Sequence, residues 1–217
     1  IAPRMTLTLP PHITAATAMD AMTHATEAFT CMAKNPLSDA YATAAIKKIS
    51  QSLLQVMDNP KDSDGRLELA QASTMAGIAF SNSMVGLVHA LGHATGAVCH
   101  LPHGLCMSLY LPYALEYNLE TIREPLGELL LYLEGPEVFA ATPASRRAEA
   151  SISAIRKLRD ALYKRCQLPR TLKETGKVTE AQLDHIAEMA LDDGSIMFNP
   201  KEVTLEDARS VLRRAWA

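Results

Sequence analysis

Aromatic residues are scarce, at 5% of 217 residues, and nowhere do apolar and polar residues alternate for long between turn residues. Strands favour β-branched and aromatic residues in such alternation, so the pattern speaks against a β-sandwich or barrel. Cysteine is sparse too. Cys31, Cys99, Cys106 and Cys166 show no Cys-x-x-Cys spacing, which argues against a disulfide scaffold and a thiolate cluster and leaves reduced core thiols as the expectation. A surplus of basic charge is missing: 21 Lys and Arg stand against 24 Asp and Glu, scattered without a basic stripe, so no nucleic-acid partner is expected. No apolar run approaches the ~18 residues of a membrane span. The opening Ile1-Ala2-Pro3-Arg4 lacks the basic-then-apolar pattern of a secretory signal, and a soluble, cytoplasmic chain with no membrane partner is expected.

What the chain has is helix-forming periodicity over a hydrophobic content of 48%, enough for a sizeable core in one large domain or two small ones. Asn35-Pro36 supplies a cap and a first-turn proline. From there Ala40, Ala44, Ile46, Ile49, Leu53 and Val56 recur at helical spacing until Asn59-Pro60. Further helices are expected at about 65–82, 85–98, 105–118 and 145–166, the last carrying the stripe Ile152, Ile155, Leu158 and Leu162. Thr179-x-x-Gln182 and Thr204-x-x-Asp207 resemble capping boxes opening helices at about 180–192 and 205–216. The segment 135–143 is the least regular. The expectation is an all-α, multi-helix domain over 1–217, with 144–217 as a separable subdomain.

Four of the seven histidines crowd into Gly86 to Gly104: His89, His93, His100 and His103. His89 and His93 stand four apart, on one face of a helix, and Pro102 and Gly104 around His103 suggest that it returns from a loop. A second pair, Asp20 and His24, has the same spacing. If the two helices face each other, a carboxylate and several imidazoles converge on one divalent ion, a donor set suited to zinc or ferrous iron. Each residue also has a plainer role, Asp20 with His24 as a surface contact and His89, His93 and His103 as hydrogen-bonded core residues. His89-x-x-x-His93 invites comparison with the zinc protease motif, but Ala90 stands where that motif needs its glutamate base. His100 is left outside the site, His12 and His185 have no clustered partners, and the methionines serve as core filler or pocket lining.

Three segments in order, Leu7 to Pro11, Met19 to Glu27 and Gly86 to Gly104, look like the iron-containing (group III) alcohol dehydrogenases. Leu111-Pro112 with Glu116-Tyr117-Asn118, Leu168 to Leu172 and Asn199 to Thr204 are similar to further family segments, so the resemblance runs almost end to end. It covers only the helical C-terminal half, shared in architecture with dehydroquinate synthase. No Gly-x-Gly-x-x-Gly occurs, so the N-terminal nucleotide-binding domain is expected to be absent from this chain, which begins at Ile1 as an excised, proteolysed or partial chain would.

The resemblance implies Asp20, His24, His89 and His103 as metal ligands, with Fe2+ first and Zn2+ as the alternative. It implies His93 as a residue near the nicotinamide and substrate, both catalytic and cofactor-binding, in place of the metal role its spacing suggests. The implied activity is that of an oxidoreductase, reversible hydride transfer between a small alcohol or aldehyde and NAD or NADP, with this chain alone inactive. Ala18 departs from the glycine the family often has, and its methyl is expected to crowd a turn. The metal-free maleylacetate reductases and the glycerol dehydrogenases are alternative enzymes. A non-catalytic metal-binding or partner-binding domain is the alternative of another class, and self-association to a homo-oligomer through apolar surface is expected.

Overall fold

A computed structural model describes all residues, 1–217. The chain folds into ten α-helices joined by short 3-10 turns, with no strand, as the sequence led one to expect. The helices are α1 (Pro11–Thr30), α2 (Pro36–Asp58), α3 (Ser63–Ser81), α4 (Leu87–Cys99), α5 (His103–Glu128), α6 (Leu130–Glu134), α7 (Pro136–Ala141), α8 (Arg147–Cys166), α9 (Leu183–Leu191) and α10 (Leu205–Trp216). None is long and apolar enough to cross a membrane.

Local chemistry sets the ends. Asn35 accepts from the N–H groups of Leu37 and Ser38 while Ser38 accepts from the Asn35 N–H, and Pro36 at the first helical position needs no partner. Both capping boxes read from the sequence form, at Thr179 with Gln182 and at Thr204 with Asp207. The first opens a 3-10 turn that runs into α9. α4 and α8 stop where His100 (φ 53°) and Gln167 (φ 56°) enter the left-handed region.

Two expectations need correction. The segment 135–143 contains the short helix α7, separated from α6 by Gly135 at φ 91°, a conformation that side chains resist. The fourth predicted helix, 105–118, is one element from His103 to Glu128 with a kink at Ile122 (φ −110°, ψ 16°). Pro125 explains the kink: its ring lacks an N–H and clashes with the carbonyl four residues back.

α1 packs against α2, α3 and α5, and α5 in turn packs against α4, α8 and α10. One hydrophobic core joins Ala15 of α1 to Ala215 of α10, with Met19, Met22, Ile46, Leu91, Leu109 and Tyr110 fully enclosed. All four cysteines are free thiols, Cys166 half-buried and the rest buried, and burial pushes Cys106 up to about 12. Within the core Thr95 spends its hydrogen on the Leu91 carbonyl, 2.7 Å away, so Tyr110 donates to the Thr95 hydroxyl at 2.6 Å.

Far along the chain, Asn199 and Asn118 exchange two amide hydrogen bonds of 2.9 and 2.8 Å, and Asn199 Oδ1 also accepts the Leu87 N–H. This joins the C-terminal segment to the start of α4. Asn199→Ala leaves several buried polar groups unpaired, at about 1–3 kcal/mol each, so a loss of roughly 3 kcal/mol is expected. At about 2–4 °C per kcal/mol for a chain of this size, a thermal melt should fall by roughly 6–12 °C.

Candidate metal centre

α1, α4 and α5 converge at one end of the core. Asp20 and His24 project from successive turns of α1, His89 comes from the first turn of α4, and His103 is the first residue of α5. His103 is therefore helical, not in a loop: only His100, Leu101 and Pro102 separate the two helices, and Pro102 caps the second. Gly104 serves close packing instead of a turn. A β-carbon there would stand 2.5 Å from the Ala16 carbonyl oxygen, so α5 can approach α1 this closely only with hydrogen at that position.

One donor atom from each of Asp20, His24, His89 and His103 lies within 4.8 Å of every other. Asp20 Oδ1 is 3.2 Å from His103 Nε2 and 3.5 Å from His24 Nδ1. The His24 ring stacks on Phe80, with centroids 4.4 Å apart, and faces His89 at 4.5 Å. Burial, reinforced by neighbouring His89, lowers His24 to about 4 and keeps its lone pair free at neutral pH. The Asp20 carboxylate beside its Nε2 raises His103. For Asp20, burial pushes the pKa up, but His103 and the other surrounding imidazoles outweigh it, and the net shift is down.

His89 is 2% exposed. Its Nδ1 lies 2.5 Å from Glu27 Oε2, and the other Glu27 oxygen accepts the Val88 N–H at 2.8 Å. A carboxylate only accepts, so the proton sits on Nδ1 and Nε2 carries the lone pair. That Nε2 is buried and has no hydrogen-bond partner. An orphaned basic nitrogen among three other donors, with its ring fixed by a carboxylate behind it, is the arrangement metal-binding histidines adopt.

His93 lies outside this group of four. Its ring stacks on His103 at 5.3 Å, and its Nδ1 is 2.8 Å from Asp193 Oδ2. It is exposed, and Asp193 also accepts the Ser195 N–H at the start of the turn Gly194–Phe198. The same reasoning about tautomers leaves His93 Nε2 as its free acceptor. His12, His100 and His185 are exposed and take no part in the group of four. Ala18 sits in the middle of α1, not in a turn.

Residues 14–216 match the model of the Fe-containing alcohol dehydrogenase family, C-terminal. The chain belongs to that family. It is similar to Alcohol dehydrogenase 4 of Saccharomyces cerevisiae, 36% identical over 210 residues that make up 96% of this chain and 52% of the relative. The NADPH-dependent butanol dehydrogenase of Clostridium saccharobutylicum is 32% identical, covering 94% of this chain and 51% of that protein. Among solved structures, 1,3-propanediol oxidoreductase superposes with a TM-score of 0.92 at 33% identity, over 99% of this chain and 54% of that one. The chain thus spans about half the length of the curated relatives it matches.

In this family member the sequence reading missed two carboxylates. Glu27 could have been found, because it follows Asp20 and His24 by seven and three residues on the same face of α1. Asp193 had no such signal, since 100 residues separate it from His93. Packing at Gly104 provides a check on how the centre is assembled. Gly104→Ala should separate α5 from α1, costing about 1–3 kcal/mol of stability and weakening Zn2+ binding in a competition titration. Gly77→Ala, where an added β-carbon meets nothing within 4 Å, should stabilise by about 0.5–1 kcal/mol and leave Zn2+ binding unchanged.

Proposed function

We propose that this chain is the metal-binding part of an NAD(P)-dependent alcohol dehydrogenase that interconverts small primary or secondary alcohols and their carbonyl compounds. Asp20, His24, His89 and His103 would hold the ion. The observation that carries this reading is the buried, unpartnered Nε2 of His89, within reach of three other donors and backed by Glu27. An uncharged, buried role in the core would have required a partner for that nitrogen. Three imidazoles and one carboxylate suit Fe2+, the first choice from family membership, and Zn2+ would bind the same donors at least as tightly.

A divalent ion in this position supplies Lewis acidity toward the oxygen of an alcohol or aldehyde. The chain's own residues hold and orient the groups around it. Glu27 fixes the tautomer and rotation of His89. Phe80 shields one face of the His24 ring. His93 is beside the centre, not in it, and with Nδ1 engaged by Asp193 its Nε2 is free to accept the substrate's hydroxyl proton and pass it to solvent. Family membership supports a role for His93 beside the nicotinamide, whose ring carries the hydride chemistry in such enzymes.

Elemental analysis of chain purified under anaerobic, metal-replete conditions tests the ligand set. Near-stoichiometric iron or zinc is expected, lost in His89→Ala and retained in His93→Ala. Absence of metal from the unmodified chain, or equal loss in both variants, would contradict it. A second measurement addresses Glu27: Glu27→Gln should keep the fold, by circular dichroism, and bind Zn2+ about 10–100-fold more weakly.

A further inference from the structure

On a different face of α1, beside α3 and the N-terminal segment, lies a cavity of about 360 Å3. That is at the small end of ligand pockets, which run from about 300 to 1,000 Å3. Arg66 of α3 lines it and is only 2% exposed. Its Nε donates to the Pro60 carbonyl at 3.1 Å and its Nη1 to the Thr14 hydroxyl at 2.7 Å. These bonds hold the guanidinium in place but do not neutralise it. Burial pulls its pKa down, and no acidic side chain offsets the charge. Buried charges normally have a counter-charge, and none stands beside this one.

Counting donors says what the occupant is. A guanidinium has five N–H donors, and with one bond from Nε and one from Nη1 three are left over. Thr14 uses a lone pair on Arg66 and keeps its hydrogen. The neighbouring hydroxyls of Thr6, Thr17 and Thr74 already donate to backbone carbonyls. The polar end of the cavity therefore presents donors and positive charge, which a carboxylate matches in shape and number of acceptors. Apart from Ser73 the remainder is apolar, with Met5, Leu9, Ala21 and Leu69 among its walls.

We propose that this cavity binds a short aliphatic carboxylate, its anionic end on Arg66 and Thr14 and its tail along Met5, Leu9 and Leu69. The site is separate from the four candidate metal ligands and does not depend on them.

Isothermal titration of the chelator-treated chain with hexanoate, and with 1-hexanol as the uncharged match, tests this. Hexanoate should bind one per chain and at least tenfold more tightly than hexanol. Arg66→Met should reduce hexanoate to the level of hexanol, and Ala70→Phe, which fills the cavity while sparing Arg66, should abolish both. Equal affinity for the two probes, no binding of hexanoate, or unchanged hexanoate binding in Ala70→Phe would overturn the proposal. The last comparison stands even if Arg66→Met does not fold.

Discussion

A single buried carboxylate, Glu27, ties α1 to the start of α4. One oxygen meets the His89 ring and the other caps the Val88 N–H, so the same side chain fixes a helix end and a histidine rotamer. A helix begins with four N–H groups that lack partners, and burying them without acceptors would be costly. Glu27 and Asn199 take two of these, on Val88 and Leu87. Gly86 gives them room, since a β-carbon there would come within 3.0 Å of Asn199 and 3.3 Å of Glu27. Removing one partner of such a buried polar group typically costs about 1–3 kcal/mol, against the roughly 0.2–1 kcal/mol typical of an exposed ion pair. The position of His89 is thus a by-product of how α4 is started.

Helix identity was legible in the sequence because it is written locally. Periodicity marked α2 and α8, and the capping residues at Asn35, Thr179 and Thr204 marked starts. Spacing also brought Asp20 with His24 onto one face, and the structure places both beside His89 and His103. What failed was reading Pro102 and Gly104 as signs of a loop. Proline also caps and opens helices, and glycine also marks close approach; which applies at 102–104 depends on α1, far earlier in the chain. The kink at Ile122 was hidden for a similar reason, because Pro125 acts on the residues before it and leaves the hydrophobic pattern intact.

The i,i+4 rule gave a misleading hint for His93. The spacing does put His89 and His93 on one face of α4, yet only His89 meets the other donors. The difference lies behind each ring. His89 is backed by Glu27 from α1 and turned inward, whereas His93 is backed by Asp193 from the far end of the chain and stands exposed. Sequence spacing describes a helix's own surface, and the partners of that surface come from elsewhere.

The turn after α9 has a mechanical meaning. Within seven residues it grips α4 at two points, Asp193 on the His93 ring and Asn199 on the Leu87 N–H, one toward each end of the helix's first half. Two fixed points suppress both sliding and axial rotation, which one contact cannot do. α4 is therefore tied to residues 193–199 at two points, and a displacement of His93 pulls on the same turn that holds Leu87.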